Sequence, residues 1–243
     1  MRALIVTAVA AEADSVTAGL TPHPDPVTPE PRTLPGGYPI HRRDLPGLAA
    51  DVLVGGVGPA AVAAATATAL VLADYSLVVS AGIGGGFAPA APPGSLVVAD
   101  ALVAADLGAD TPDGFLPVDA LGFGHSVHLP PVELAARAAE ATGALLAPVL
   151  TVSTVTGTAA RAAELAARHP LAGAEAMEGF GVAEAAAAHG LPVLEIRAVS
   201  NPVGPRDRDA WRIGDALAAL ADGFRALGPV LVHWGEQHEQ RQP

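Results

Sequence analysis

Short apolar runs, several of them unbroken, recur along the chain and predict strands. They seldom alternate with polar residues, which is typical of strands buried on both faces of a sheet. The runs lie at residues 3–6, 51–54, 77–80, 96–99, 145–152 and 193–199. Alanine-rich helical stretches lie between them, near residues 59–73, 131–142, 158–168, 178–189 and 209–226. Because strand and helix alternate, the pattern predicts a three-layer α/β/α fold with a central mixed, largely parallel sheet.

Two stretches lack this regular pattern. Residues 21–47 carry seven prolines between Pro22 and Pro39, and we interpret them as a loop or an irregular hairpin. The other stretch, residues 106–124, is a candidate lid or partner-facing loop. Both interpretations favour insertions over domain boundaries, so we expect residues 1–243 to form a single domain.

Composition narrows the classes of function. The 243 residues are 51% hydrophobic, which is ample for a buried core in one large domain or two small ones. The net charge is −12 and all 13 basic residues are scattered arginines, so no basic stripe is available to grip a nucleic-acid backbone. We therefore expect no nucleic-acid partner.

Two residue types are missing from the sequence. The chain has no cysteine, which excludes disulfides, thiolate zinc sites and cysteine nucleophiles. It has no lysine either, which excludes a Schiff base and the phosphate-binding lysine of a P-loop. We expect neither a metal nor a cofactor.

The N-terminal stretch "MRALIVTAVAAEAD" is apolar enough to suggest a signal peptide. A first strand is the favoured interpretation, because the apolar run at residues 3–6 is followed by acidic residues and not by a clean signal-peptide cleavage site. No other stretch is predicted to approach a membrane span. The apolar run at residues 60–73 is mostly alanine and threonine, and it is too short to cross a bilayer. We expect a soluble, cytoplasmic protein without a membrane partner.

Glycines follow two of the predicted strands. In "VVSAGIGGGF" they begin at Gly82, and loops at the carboxyl ends of parallel strands are where open α/β sheets bind ligands. A dinucleotide-binding GxGxxG turn should lead into a helix, whereas prolines and another strand follow here. In "GGVGPAAVAAATATALV" the glycines precede Pro59 at a helix start. Both could be simple turns, but together they suggest one shared crevice.

Two acidic residues stand at the start of the helical stretch "EAMEGFGVAEA". Glu178 is predicted to lie in the first helical turn, where a carboxylate can stabilise the helix dipole or serve a site in the crevice. For Glu175, three residues earlier, we expect exposure to solvent.

The segment "LEIRAVSNPVGPRDRDAW" places polar residues in and after an apolar strand. Asn201, at the strand end, offers both a donor and an acceptor and suits the edge of a heterocycle, although it could simply cap a turn. Arg197 is predicted to pair with a carboxylate such as Glu178.

Taken together and in this order, the segments resemble the purine nucleoside phosphorylase and methylthioadenosine nucleosidase superfamily, over nearly the whole chain. The "SN" and "GPRDRDAW" motifs resemble the futalosine hydrolase branch, which acts in menaquinone biosynthesis. The resemblance implies a phosphorylase/hydrolase-like fold, a small-molecule purine nucleoside as partner and a homo-oligomer.

The resemblance also assigns roles to residues. Glu12, shortly after the first strand, would activate the attacking water. Met177 would pack on the ribose, Glu178 would bind its hydroxyls, and Asn201 would contact the purine. Gly82, Ile83 and Gly84 would place backbone near the base and the nucleophile. In the methylthioadenosine branch a second glutamate immediately precedes the methionine, so Glu175 is out of phase by one residue and is not carried over.

Two departures from the wider superfamily bear on the chemistry. Its phosphorylases bind phosphate through an arginine at the glycine-rich strand end, which this chain lacks, so water is the expected nucleophile. An aspartate that protonates purine N7 corresponds to Asn201, which suits a 6-oxopurine such as the hypoxanthine of futalosine.

We therefore expect hydrolysis of the N-glycosidic bond of futalosine. For the substrate's carboxylate arm, Arg206 or Arg208 is a candidate partner, and surface ion pairs with Asp207 or Asp209 are the alternative. The alternatives in function are another purine nucleosidase (of the methylthioadenosine/S-adenosylhomocysteine or aminodeoxyfutalosine type), a purine nucleoside phosphorylase, or a catalytically silent nucleoside-binding member of the fold.

Overall fold

The computed structural model describes residues 1–21 and 30–239. The strands within these ranges are β1 (Arg2–Thr7), β2 (Arg32–Leu34), β3 (Tyr38–Leu45), β4 (Leu48–Val54), β5 (Leu77–Gly86), β6 (Leu96–Ala104), β7 (Gly108–Thr111), β8 (Gly114–Pro117), β9 (Val127–His128), β10 (Leu145–Thr151), β11 (Ala174–Ala176) and β12 (Val193–Pro202). The helices are α1 (Ala10–Leu20), α2 (Pro59–Leu72), α3 (Val132–Thr142), α4 (Ala159–Arg168), α5 (Gly179–Ala188) and α6 (Ile213–Glu239).

One mixed sheet organises the fold. Its strand order is β11-β10-β6-β12-β5-β1-β4-β3-β2, and β9 pairs with β6. The central strands β4, β1, β5 and β12 are mutually parallel, as are β6, β10 and β11. The two parallel groups meet where β12 and β6 run antiparallel. The prediction of a mixed sheet is confirmed, with its parallel pairs in these two groups.

Helices cover both faces of the sheet. On one face α1, α3 and α6 pack on the strands through fully buried residues such as Val16, Leu134 and Phe224. On the other face α2 and α5 do so through Val62 and Val182. The predicted three-layer arrangement is confirmed.

Most predicted elements lie where the apolar pattern places them, but several boundaries differ. Strands β5 and β6 extend to Gly86 and Ala104, beyond the predicted ends at residues 80 and 99. The glycines from Gly82 onward, interpreted as a loop after the strand, therefore lie within β5. Helix α1 was not predicted, because the short interval after the first strand was interpreted only as a lead to Glu12. Helix α6 extends to Glu239, beyond the predicted end at residue 226.

The two irregular stretches contain regular structure. Within 21–47, residues 22–29 lie outside the described residues, and β2 and β3 form an antiparallel hairpin that extends the sheet beside β4. The hairpin interpretation is therefore right for residues 32–45. Within 106–124, β7 and β8 form a separate two-stranded sheet.

Helix α6 corrects the prediction that no further stretch approaches a membrane span. Residues Ile213–Gln237 are long and apolar enough to cross a membrane by length and composition alone. Leu220, Phe224, Leu227 and Leu231 of this helix are, however, completely buried in the core. Packing within the fold accounts for the apolar character of the helix.

Candidate active site

A cavity of about 640 Å³ opens at the carboxyl ends of β5 and β12. Seven of the eight residues predicted to form a site line it: Glu12, Ile83, Gly84, Met177, Glu178, Asn201 and Arg206. The eighth, Gly82, is not among the lining residues. None of the residues that line this cavity comes from residues 106–124, so the β7–β8 hairpin does not form part of its wall.

The carboxylate of Glu12 is held by backbone amides from two parts of the chain. Glu12 is the third residue of α1, and its Oε2 accepts hydrogen bonds from the N–H groups of Ala8 (2.9 Å) and Val9 (3.2 Å). Its Oε1 accepts one from Ile83 of β5 at 2.9 Å. The side chain therefore has a fixed orientation at the junction of the first strand, the first helix and the glycine-rich strand.

Burial raises the pKa of Glu12 above its ordinary value, against the lowering effects of the Ile83 N–H and of Arg197. The nearby carboxylate of Glu178 acts in the same direction as burial. A glutamate shifted this way is a better proton acceptor than an ordinary one, because its pKa lies closer to neutrality.

The carboxylate of Glu178 lies beside the glycine-rich turn that precedes α2. Glu178 directly precedes α5 and is 6% exposed. Its Oε1 accepts a hydrogen bond from Gly58 N (3.2 Å), and its Oε2 accepts from Met177 N (3.3 Å). Gly58 has φ +93°, a conformation that favours glycine. Val57 of this turn and residues 83–85 of β5 line the same cavity, which confirms the expectation of one shared crevice.

Arg197 holds Glu178 from inside the protein. The guanidinium is completely buried, and its Nη1 donates to Glu178 Oε2 at 3.2 Å, as predicted. Its Nε donates to Glu195 Oε1 (2.8 Å) and its Nη2 to Ser80 Oγ (2.7 Å). The sequence predicted the first contact; the other two depend on the parallel pairing of β5 and β12, which sets Ser80 opposite Glu195.

Three buried carboxylates share this single guanidinium. Burial tends to lower the pKa of Arg197, but Glu195, Glu178 and Glu12 raise it overall. Burial also raises the pKa of Glu195, whose Oε2 has no hydrogen-bond partner among the described residues. Burial and the surplus of acidic groups thus raise the pKa of both Glu12 and Glu195 above the ordinary value for glutamate.

Gly82 has a structural role in this cluster. A Cβ atom at Gly82 would lie 2.6 Å from Glu12 Oε1 and 2.7 Å from Arg197 Nη1. The absence of a side chain is what lets the catalytic candidate and the buried cation approach the same strand.

Asn201 lies at the end of β12 with its amide at the cavity wall. Its Oδ1 accepts a hydrogen bond from Ser200 Oγ (2.8 Å), and its Nδ2 donates to Pro202 O (3.0 Å). An amide nitrogen carries two hydrogens, so the second can donate to a ligand.

The prediction for Glu175 is wrong. The residue is 5% exposed and lines the cavity instead of pointing to water. It lies on β11, where its Oε1 accepts from Thr156 N (2.8 Å) and its Oε2 from Thr156 Oγ1 (2.5 Å). These bonds compensate the carboxylate for its loss of hydration. Thr156 also lies in the cavity wall, and the sequence analysis did not identify it.

Arg206 and Arg208 flank Trp211 at the cavity. Their guanidinium carbons lie 5.2 and 5.8 Å from the centre of the indole ring. Neither forms an ion pair with Asp207 or Asp209, all four residues being within the described ranges. Both cations therefore remain available to an anionic group in the cavity.

Comparisons with known proteins show which proteins this chain resembles. A family model described as the phosphorylase superfamily matches residues 2–227. A futalosine hydrolase of Streptomyces coelicolor is 63% identical, over 99% of this chain and 100% of its own length. A futalosine hydrolase of Acidothermus cellulolyticus is 49% identical, over 97% and 93%. The solved structure of Helicobacter pylori futalosine hydrolase has a TM-score of 0.80 at 18% identity, covering 94% of this chain and 97% of that one.

Proposed function

The chain belongs to the phosphorylase superfamily and, within it, to the futalosine hydrolases, and we propose how its own residues cleave the N-glycosidic bond of futalosine. The observation that carries the proposal is that Glu12, Glu178 and Asn201 line one cavity. Bond cleavage builds positive charge on the ribose and negative charge on the departing base. Only contacts that strengthen as these charges grow can accelerate the reaction.

Glu12 is the general base. A water molecule attacks the anomeric carbon, one of its protons passes to the Glu12 carboxylate, and the bond electrons leave with the purine nitrogen. The three backbone N–H groups that hold the carboxylate fix its direction. Proton transfer to a positioned base contributes about 10²- to 10⁴-fold to the rate.

Glu178 binds the ribose diol, and Met177 packs against the sugar. The contacts of Glu178 with Gly58 and Arg197 keep its carboxylate oriented before substrate arrives. A negative carboxylate near the ribose also favours the positive charge that develops there.

Asn201 stabilises the leaving hypoxanthine. Its Nδ2 donates a hydrogen bond toward N7 and the neighbouring O6 of the 6-oxopurine, where negative charge develops. Hydrogen bonding replaces the full proton transfer that an acid at this position would provide.

Water is the nucleophile because the arginine beside the glycine-rich strand is not free to bind phosphate. Arg197 lies beside Gly82, but its guanidinium already donates to Glu195, Glu178 and Ser80. A phosphate ion at this position would also be repelled by the carboxylates of Glu12 and Glu178.

Arg206 binds the carboxylate on the aryl arm of futalosine, with Arg208 as the alternative. Arg206 lines the cavity and stacks on Trp211, and a guanidinium suits bidentate binding of a carboxylate. The aromatic ring beside it offers a surface for the aryl group.

The decisive experiment is incubation of the protein with futalosine in phosphate-free buffer, with hypoxanthine followed by chromatography. We expect hypoxanthine release without phosphate. Turnover of inosine only when phosphate is added would identify a phosphorylase and contradict the proposal, whereas hypoxanthine binding without turnover would indicate a catalytically silent member of the fold.

We further infer that the 243 residues act as a single cytoplasmic domain in a homo-oligomer. The packing of the C-terminal helix α6 against α1 supports one domain, since Gly19 lies against Ala221. Exposed apolar side chains such as Leu129 and Val132, 72% and 81% exposed, supply surface for association. Analytical ultracentrifugation should show a species larger than the 24.1 kDa monomer.

A further inference from the structure

Two histidines and a glutamate form a cluster that does not belong to the cavity. His125 precedes β9, His128 ends it, and Glu184 lies in the middle of α5. His125 Nε2 and His128 Nε2 are 3.2 Å apart, and each lies 3.0 Å from Glu184 Oε1. Three ligand atoms from two elements thus form a nearly equilateral triangle.

Protons cannot satisfy all three contacts of this triangle. A neutral imidazole carries one N–H. If both histidines are protonated at Nε2, both N–H groups can donate to Glu184, but the two donors then lie against each other. If one nitrogen is instead unprotonated, its lone pair faces the carboxylate oxygen. In either arrangement one short contact is repulsive, and a cation in contact with all three atoms removes the repulsion.

The segment that carries the histidines is held in place. Asp119 accepts hydrogen bonds from the N–H (3.1 Å) and the hydroxyl of Ser126, the residue that directly follows His125. The ring of His128 packs on Phe180 of α5 with 5.1 Å between ring centres. The cluster is therefore preorganised by contacts other than its own.

We propose that His125, His128 and Glu184 bind a divalent transition-metal ion, with Zn²⁺ as the best match. Two imidazole nitrogens and one carboxylate oxygen are a donor set that zinc uses. Zinc-to-ligand distances of about 2.0–2.2 Å in tetrahedral geometry separate ligand atoms by roughly 3.3 Å, close to the separations in the triangle. His125 is exposed, so water completes the coordination.

Such an ion would link β9 to α5. Because the N-terminus of α5 directly follows Glu178, the ion would connect β9, which pairs with β6 of the sheet, to the helix that begins at the active site. This differs from the expectation, based on the sequence, that the chain binds no metal, because the three ligands converge only through the contact of β9 with α5.

The test is calorimetric titration of the full-length protein with ZnCl₂ after removal of metals by a chelator. We expect one Zn²⁺ per chain, and at least about tenfold weaker binding in each of the variants His128→Asn and Glu184→Gln. His189→Asn, an exposed histidine at the end of the same helix, is the matched control and should bind as the unaltered protein does.

A second measurement distinguishes loss of the metal site from loss of the fold. Circular dichroism should show that Glu184→Gln, which removes charge with little change in shape, is folded. Absence of a site with one-to-one stoichiometry would overturn the proposal. So would binding that is unchanged in both ligand variants, or binding that is weakened equally by His189→Asn.

Discussion

Arg197 Nη1 lies 3.2 Å from Glu178 Oε2; both side chains are buried, and Glu178 lines the cavity. The same guanidinium binds Glu195 at 2.8 Å, so the carboxylate proposed to bind the ribose is positioned by a residue that does not itself line the cavity. Stability of the fold and orientation of the site thus depend on one side chain.

Replacement of Arg197 by methionine should therefore unfold the protein more readily. The variant leaves Glu178 and Glu195 buried without their counter-charge, and loss of one partner of a buried pair costs about 3–5 kcal/mol. Urea denaturation measures the free energy of unfolding. Arg225→Met, which removes an exposed arginine paired with Asp222, should change it by less than about 0.5 kcal/mol. Equal effects of the two substitutions would contradict the role of the buried cluster.

Glu12→Gln should reduce kcat for hypoxanthine release by about 10²- to 10⁴-fold, because glutamine cannot accept the proton from water. Its amide keeps the size of the side chain, so the fold should persist. In the unaltered enzyme kcat/KM should fall as the pH drops through a pKa above 4.5, the ordinary value for glutamate. Glu140→Gln on the exposed face of α3 is the control; a Glu12→Gln variant with normal turnover would remove Glu12 from the mechanism.

Gly82→Ala should impair catalysis more than its small size suggests. The added methyl would lie 2.6 Å from Glu12 Oε1, so the proposed base must move, and a displacement of about 1 Å can cost on the order of 10²-fold in rate. Gly214→Ala near the start of α6 is the matched control, because nothing lies within 4 Å of its added methyl. Steady-state kinetics of both variants measure the effect on kcat. Equal rates would show that Gly82 is not needed to position Glu12.

The centre of the fold was predictable from the sequence because β1, β4, β5, β6, β10 and β12 contain apolar runs with alanine-rich helices between them. The strands β7, β8, β9 and β11 were not predicted, and β2 and β3 only as a loop or an irregular hairpin, because these strands are short or rich in polar residues. Most of the cavity was predictable for a related reason, since residues that follow parallel strands meet at one edge of the sheet. The burial of Glu175 was not predictable, because it depends on Thr156, which lies 19 residues earlier. The N–H and hydroxyl of Thr156 donate hydrogen bonds to the Glu175 carboxylate. The contacts of Arg197 with Ser80 and Glu195 likewise depend on strand register.

Asn201→Asp should shift preference between purines. An ionised aspartate can only accept hydrogen bonds, so it loses the donor to N7 and O6 of hypoxanthine, whereas a protonated one can serve an adenine-type base. The ratio of kcat/KM for futalosine to that for its amino analogue should fall by about tenfold, the value of one hydrogen bond. An unchanged ratio would mean that Asn201 does not contact the base.

Glu195→Gln should make the protein relatively more stable as the pH rises. Burial raises the pKa of Glu195 in the folded state, so between 4.5 and that raised value the folded protein binds more protons than the unfolded chain. The contribution of Glu195 to the stability of the unaltered protein therefore decreases as the pH rises through this window. Glutamine carries no titrating proton, and its oxygen can still accept the hydrogen bond from Arg197 Nε. Urea denaturation at several pH values should show the stability difference, variant minus unaltered, growing with pH, whereas exposed Glu133→Gln should show no such trend. Parallel curves for Glu195→Gln and the unaltered protein would show that the Glu195 carboxylate titrates alike in the folded and unfolded states.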